Sequence, residues 1–460
     1  MEQRLYERDE IIELNIEDMT TTGEGVGRDN GFTIFVDGAL PGEKVKAKIR
    51  KVKKSYAIGS LEELIDSSSN RVKPPCVYSK TCGGCQIQNV EYKEQLNIKR
   101  KIVIDALERI GHLKGMEERV APTLGMDNPY EYRNKAQYKI SIDGQLGFYK
   151  KKSHRVIPVE QCMIQSEQSS KIMKHINRFI QKYKVPVYNE ETHKGILRGI
   201  VERVSHDNSE VMLIFVLNAK NFKYKTELKE YMKEHLPNVV SIYFNMNMSK
   251  TNVVLSKENK HVYGKEKILD TIGSLKYEIS PLSFFQVNPL QTKVLYDKVV
   301  EFSALTREET VLDLYCGIGT ISLYLAKYAN KVYGVEIVPE AIKDAQANMM
   351  LNNIENTEFI LGKSEKIMPQ LLKEGIQADI VVVDPPRKGC EETLLEAIIT
   401  MSPKKIIYVS CNPATLARDL KVLTGGRYEV ERVQPVDMFP HTPHVESIIL
   451  MTYCGSRGKK

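Results

Sequence analysis

The sequence predicts an α/β protein whose C-terminal half is a doubly wound, mostly parallel sheet, preceded by a small β-barrel and a mixed α+β segment. Three observations carry this expectation. After about Gly273 the chain repeats strand, glycine turn and helix: VLDLYCGIGTISLYLAKYA, KVYGVEIVPEAIKDAQANMMLNN, ADIVVVDPPRKGC and KKIIYVSCNPATLARDL are successive βα units. That alternation belongs to a parallel sheet with crossover helices. Up to about Asp66, short β-like runs alternate with glycine turns, which fits a barrel of the oligonucleotide-binding kind. Between them, from about Tyr130 to Leu269, strand and helix patterns are mixed.

Each element has a local reason. Gly23, Gly25 and Gly27 precede no Gly-Lys-Ser/Thr and open no helix, so they predict a hairpin turn and not a phosphate loop. Pro41-Gly42 marks another turn, the basic strand GEKVKAKIRKVKKSYAIG follows, and SSSNRVKPP reads as a linker. EYKEQLNIKRKIVIDALERIG spaces its apolar residues as a helix does. YRNKAQYKISIDGQLGFYKK reads as a hairpin turning at Asp143-Gly144, and VMLIFVLNAK as a buried strand.

Composition narrows the classes of function. The chain has 460 residues, 42% of them hydrophobic, enough for several packed domains. No apolar stretch reaches the ~20 residues of a membrane span. The N-terminal MEQRLYERDE lacks the apolar core of a secretory signal, so a cytoplasmic protein with no membrane partner is expected. Lys and Arg total 66 against 59 Asp and Glu, a net charge of +7, which permits a nucleic-acid partner. Lys44, Lys46, Lys48, Arg50, Lys51, Lys53 and Lys54 form one basic cluster; Lys150, Lys151, Lys152 and Arg155 form another. Two such clusters in separate β-rich regions predict a phosphate-binding track in preference to a solvated face.

Eight cysteines in a cytoplasmic chain are not expected to pair as disulfides. Cys76, Cys82 and Cys85 stand as C-x5-C-x2-C, with Cys162 downstream in IPVEQC. Four thiolates suit tetrahedral zinc or an iron–sulfur cluster, and spacing leaves both open. His441 and His444 have no further ligand nearby and make a poor zinc site. Cys390 and Cys454 read as spectators. Cys411 lies in IIYVSCNPATLARDL between an apolar strand and an amphipathic helix. Near a helix N-terminus a thiolate is stabilised, so a nucleophile competes here with an inert core thiol.

Asp313 precedes Gly317 and Gly319 at a strand-to-helix turn, Glu336 ends the next strand, and Asp384 ends ADIVVVDPP. Acids at these strand ends suit a nucleotide, whose ribose hydroxyls they accept. The turn is not G-x-G-x-x-G, because Thr320-Ile321-Ser322 follows Gly319. An acid before the turn, an acid after the second strand and Asp-Pro-Pro after the fourth resemble S-adenosylmethionine-dependent methyltransferases. The resemblance becomes specific with SFFQVN (Ser283–Asn288), DLYCGIGT, DPPR (Asp384–Arg387), SCNP (Ser410–Pro413) and FPHTPHVE (Phe439–Glu446). Together and in this order they resemble the RNA uracil-5-methyltransferase family, over nearly the whole chain. The N-terminal segment looks like a TRAM domain, and the cysteine set is similar to that of the 23S ribosomal RNA branch.

The resemblance implies a Rossmann-like methyltransferase domain at 91–121 and 273–460, an OB-like TRAM barrel at 8–66, and an iron–sulfur and RNA-binding central domain at 70–90 and 122–272. It implies Cys411 as the nucleophile adding to uracil C6 and Glu446 as the base taking the C5 proton. Gln286, Tyr315, Glu336 and Asp384 would contact S-adenosylmethionine, with Asn288 a weaker candidate. Arg133 would stabilise the enolate or grip RNA, and Cys316 would line the cofactor turn. Cys76, Cys82, Cys85 and Cys162 would hold a [4Fe-4S] cluster. The partner would be a flipped-out uridine in a loop or single-stranded stretch of 23S ribosomal RNA, and a monomer is expected. The tRNA branch is expected to lack both barrel and cluster. A tRNA uridine-5-methyltransferase and a non-catalytic RNA-binding protein are the alternatives.

Overall fold

The computed structural model describes residues 6–455. β1 (Ile11–Met19), β2 (Glu24–Asp29), β3 (Phe32–Asp37), β4 (Lys44–Val52) and β5 (Tyr56–Asp66) close into a barrel of order β1-β2-β3-β5-β4. Strict alternation in KVKAKI buries Val45, Ala47 and Ile49 completely and turns the lysines outward. Of the three early glycines only Gly23, at φ +89°, lies in the hairpin turn. Gly27 is in β2, where a Cβ would stand 2.2 Å from Leu14 Cδ1, so this glycine serves close packing across the barrel.

Six residues of the two basic clusters are held in ion pairs. On β4, Lys44 faces Glu13 at 3.7 Å, Lys46 faces Glu63 at 2.9 Å, and Lys48 and Arg50 both face Asp9, at 3.6 and 3.3 Å. Lys151 pairs with Asp37 at 2.5 Å and Lys152 with Glu24 at 3.2 Å, fastening the central domain to the barrel. Strand pairing brings up carboxylates from distant parts of the chain. The linker is also tied down, since Arg71 forms an ion pair at 2.6 Å with the buried Glu43.

The helix α1 (Tyr92–Arg109) and the short α2 (Met116–Arg119) come next. The central segment comprises β6 (Lys135–Ile140), β7 (Leu146–Tyr149), β8 (Val156–Pro158), α3 (Glu167–Tyr183), β9 (Leu197–Val204), β10 (Val211–Leu217), α4 (Lys225–His235), β11 (Val239–Met246) and β12 (Asn259–Gly264). Its sheet runs β12-β11-β10-β9-β6-β7-β8, and α3 and α4 cover one face. β6 and β7 form the hairpin expected around Asp143-Gly144, and β10 is buried throughout. β13 (Ile268–Ile272) and β14 (Leu275–Ile279) then form a two-stranded sheet.

The C-terminal segment runs α5 (Pro289–Ser303), β15 (Thr310–Leu314), α6 (Thr320–Ala326), β16 (Lys331–Glu336), α7 (Pro339–Leu351), β17 (Thr357–Leu361), α8 (Ser364–Lys373), β18 (Ile380–Val383), α9 (Glu392–Met401), β19 (Lys405–Ser410), α10 (Pro413–Gly425), β20 (Tyr428–Val436) and β21 (Glu446–Tyr453). The sheet order is β17-β16-β15-β18-β19-β21-β20. It is parallel from β17 to β19, and β21 then runs antiparallel between β19 and β20. This is the doubly wound sheet of an S-adenosylmethionine-dependent methyltransferase fold. Apolar residues of α1, α8, α9 and α10 bury one face. Those of α5, α6 and α7 bury the other, in a core that continues through Val201, Met212 and Ile214 into the central sheet. Among the described residues no helix is long and apolar enough to cross a membrane.

Candidate active site

Ligands of doubly wound sheets bind beyond the carboxyl ends of the strands, where the strand order reverses. Here that point lies between β15 and β18. Tyr315 (φ 66°), Gly317 (φ 56°) and Gly319 (φ 81°) bend the chain sharply after β15. A Cβ on Gly317 would meet nothing within 4 Å, whereas one on Gly319 would strike Phe359 at 2.7 Å. One glycine therefore leaves space for a ligand and the other permits packing. Glu336 accepts hydrogen bonds from the backbone N–H of Gly317 at 3.2 Å, Ile337 at 2.8 Å and Val338 at 2.9 Å, which ties the turn to the end of β16. Asp313 is fully buried and accepts from Ser322 Oγ at 2.5 Å, while its Oδ1 has no partner. Burial pushes its carboxyl up to about 7.

Gln286 is buried, and its carbonyl accepts from Asn134 Nδ2 at 3.1 Å. Asn288 is fully buried, caps α5 by accepting from Gln291 N at 3.2 Å and donates to the Met438 carbonyl at 3.2 Å. Its side chain is spent on the fold, so the expected cofactor contact gives way to a capping role. Cys316 is buried inside the turn, as expected.

Register brings the other candidates together. Ser410 pairs with Ser447 across antiparallel β19 and β21, so Cys411, next after Ser410, faces Glu446, next before Ser447. Val383 pairs with Tyr408 across parallel β18 and β19, which sets Asp384 at the same sheet end. Burial, then the charges of Glu446 and Asp384, push the Cys411 thiol up to about 11, against the pull of Arg387. The expected thiolate-stabilising helix terminus is outweighed by burial and by two carboxylates. Burial and Asp384 hold the Glu446 carboxyl well above the usual carboxylate range, again opposed by Arg387. Burial raises Asp384 to about 7.

The loop around Cys411 is built by its neighbours. Asn412 caps α10 by accepting from Ala414 N at 3.1 Å, and its Nδ2 donates to the Arg387 carbonyl at 3.0 Å. Thr415 Oγ1 donates to the same carbonyl at 3.2 Å. Buried Asp419 accepts from Tyr408 OH at 2.6 Å and from the Cys390 N–H at 2.7 Å. The Asp384–Cys390 loop is thereby fixed against α10. Cys390 sits beneath it with its sulfur 3.6 Å from Tyr408 OH.

The Phe439–Glu446 segment is held from the opposite side by α1. Lys99 and Asp437, both with fully buried side chains, form an ion pair, and Lys99 also donates to the Phe439 carbonyl at 3.0 Å. Tyr92 OH donates to Asp437 Oδ2 at 2.9 Å, and Tyr132 OH donates to the Pro440 carbonyl at 3.2 Å. The sequence held a signal for this pair, because Lys99 occupies the buried helical face of Gln95, Ile98, Ile102 and Val103. Lys99→Met is expected to destabilise the protein by about 3–5 kcal/mol, since it strands a buried carboxylate. Urea unfolding checks this. His441 stacks on Tyr130 at 4.6 Å and takes Gln95 Oε1 on its backbone N–H at 2.9 Å. Burial lowers its ring to about 4, and exposed His444 does not join it at a metal site.

Cys411 opens into a cleft of about 670 Å³ between the barrel and α1, lined also by Thr20, Arg28, Phe35, Arg109 and Arg387. A separate cavity of about 270 Å³ is lined by Cys76, Cys82, Cys85 and Cys162 together with Arg133 and Gln137. Burial raises the Cys82, Cys85 and Cys162 thiols. Among the described residues no group of three or more His, Cys, Asp or Glu side chains is arranged to hold a metal ion. Arg133 lines this cavity and not the Cys411 cleft, with its Nε on the Lys135 carbonyl at 2.9 Å.

A family model described as tRNA (uracil-5-)-methyltransferase matches residues 91–453, and a TRAM domain model matches residues 6–61. The chain is 53% identical over 450 residues to an uncharacterized RNA methyltransferase of Clostridium tetani, covering 97% of each chain. It is 47% identical over 453 residues to another from Halalkalibacterium halodurans, covering 98% of each. Among solved structures, Pyrococcus abyssi tRNA (uracil-54, C5)-methyltransferase in complex with S-adenosyl-L-homocysteine is similar at a TM-score of 0.79 and 30% identity, covering 96% of this chain and 100% of that one. Strand order, strand-end acids and family match agree: the chain belongs to the tRNA (uracil-5-)-methyltransferase family of RNA methyltransferases and carries an N-terminal TRAM domain.

Proposed function

We propose that the protein methylates C5 of a uridine in 23S ribosomal RNA, with Cys411 as nucleophile and Glu446 as base. The observation that supports this chemistry most is the β19–β21 register, which sets Cys411, a residue lining the cleft, against the buried Glu446. The Cys411 thiolate adds to uracil C6, forming a C–S bond while the C5–C6 π electrons shift toward C5 and O4. S-adenosylmethionine, when bound, supplies the electrophilic methyl group for C5. Glu446 then takes the C5 proton. The electron pair left behind re-forms the C5–C6 double bond as the C–S bond breaks and the thiolate departs. Burial suits Glu446 to accept a proton, and the target base must leave its stack to reach Cys411.

Gln286, Tyr315, Glu336 and Asp384 would hold the methyl donor. The open space over Gly317 and the acids ending β16 and β18 fit such a group. The barrel at 8–66 and the central domain at 70–90 and 122–272 would grip RNA around a methyltransferase unit of 91–121 and 273–460, acting as a cytoplasmic monomer.

The C-x5-C-x2-C spacing with Cys162 downstream, and the gathering of all four cysteines around one cavity, support a [4Fe-4S] cluster there. Anaerobic purification is expected to give a coloured protein with ~4 iron per chain, lost in Cys85→Ser. A colourless zinc protein would contradict the cluster.

A tRNA substrate is the second reading, and one observation favours it. The Pyrococcus enzyme is by name a tRNA methyltransferase, yet its match spans 96% of this chain and so takes in most of the barrel. The barrel therefore does not separate the two substrates, against the expectation from sequence. Mapping 5-methyluridine in RNA from cells lacking the protein decides. Loss from 23S ribosomal RNA is expected, and loss from tRNA alone would overturn that assignment.

A further inference from the structure

Unpaired positive charge also lies on the central sheet, apart from the surface lysine clusters. Lys135 of β6 stands opposite Arg203 of β9, so the two side chains leave the same face of the sheet. That face also carries Val201 and packs toward the methyltransferase core. Arg203 is 4% exposed; it donates to the Ser283 carbonyl and, at 3.4 Å, to the Pro281 carbonyl, while its Nε has no partner. The half-buried Lys135 ammonium makes no hydrogen bond or ion pair among the described residues. Burial, and then the charges of Arg203 and Arg133, push it down to about 7. The adjacent acid, Glu202, points to the opposite face and accepts from Tyr138 OH at 2.6 Å.

Gathered cations without a carboxylate are costly in a partly dry interior, and an arriving anion removes that cost. The surroundings narrow the choice of anion. Arg203 holds the carbonyls of the loop that leads to Gln286, and Asn134, beside Lys135, donates to the Gln286 carbonyl. The cations therefore border the loop assigned to the methyl donor. A phosphodiester reaching the half-buried Lys135 would meet its ammonium, with the buried Arg203 guanidinium opposite it on the same face adding positive potential.

We propose that Lys135, its positive potential reinforced by the buried Arg203, binds a backbone phosphate of the RNA strand flanking the target uridine. This rests on the RNA methyltransferase reading above. A phosphate site positions the strand without reading its sequence, which separates Lys135 from any residue that selects the uridine.

The test compares wild type, Lys135→Gln and Lys135→Arg as full-length proteins, titrated with two single-stranded uridine-containing RNAs of unrelated sequence over a salt series. S-adenosylhomocysteine binding is measured alongside. Lys135→Gln is expected to weaken both RNAs equally, on the order of tenfold at low salt, and to reduce the slope of log K against log salt by about 0.7. Lys135→Arg is expected to restore both, and S-adenosylhomocysteine affinity is expected to hold. Unchanged RNA affinity and slope in Lys135→Gln, with wild type binding RNA normally, would overturn the phosphate site alone. A loss confined to S-adenosylhomocysteine would overturn it too, assigning the charge to the cofactor. Wild type that binds neither RNA would sink the functional reading together with the site.

Discussion

Cys411→Ala is expected to lower 5-methyluridine formation by more than about 10⁴-fold, the scale on which loss of a covalent nucleophile is felt. The variant is expected to bind S-adenosylhomocysteine as wild type does, because Cys411 lies at the end of β19 and the glycine turn follows β15. Filter binding and methyl-transfer assays check the two halves separately. The same thiol predicts a pH profile. With its pKa held near 11 by burial and two carboxylates, the thiolate fraction grows about tenfold per pH unit below that value. Single-turnover rates are therefore expected to rise with pH between about 6.5 and 9. Glu446, held above the usual carboxylate range, also loses its proton as pH rises, so both groups act in the same direction. A rate that fell over this range would contradict the assignment.

Glu446→Gln is expected to separate the two halves of the reaction. Addition of Cys411 to C6 needs no base at C5, so the adduct still forms. Proton removal is expected to slow by about 10²–10⁴-fold, the usual contribution of a positioned general base. The enzyme should then accumulate as a methylated covalent complex with unmodified RNA, visible as a protein–RNA band in denaturing gels. The double variant Cys411→Ala/Glu446→Gln should show none. Glu446→Gln with full turnover would remove Glu446 from the mechanism.

Much of this architecture was legible in local pattern. The βα rhythm after Gly273, the acids at the ends of β15, β16 and β18, and the cysteine between β19 and α10 are written within a few residues of one another. What the sequence hid depends on contacts between distant segments. Lys46 and Lys151 look like free cations until strand pairing and domain docking place Glu63 and Asp37 beside them. Asn288 looks like a ligand contact until α5 needs a cap and Met438 a donor. Arg133 is in a conspicuous motif, but its side chain reaches the cysteine cavity. Cys411 was expected to be acidified by its helix. It is raised by burial and then by Glu446 and Asp384, all of which depend on segments distant in the chain.

The claim that Cys411 attacks a flipped-out uridine and Glu446 releases it by taking the C5 proton is tested most directly with 5-fluorouridine in substrate RNA. Fluorine at C5 cannot leave as a proton, so addition and methyl transfer should stop at a stable adduct. Peptide mass spectrometry after nuclease digestion is predicted to find methylated fluorouridine on Cys411, formed only when S-adenosylmethionine is present. The account would be contradicted if no adduct formed with an RNA whose unfluorinated form is methylated, or if the modification lay on another residue.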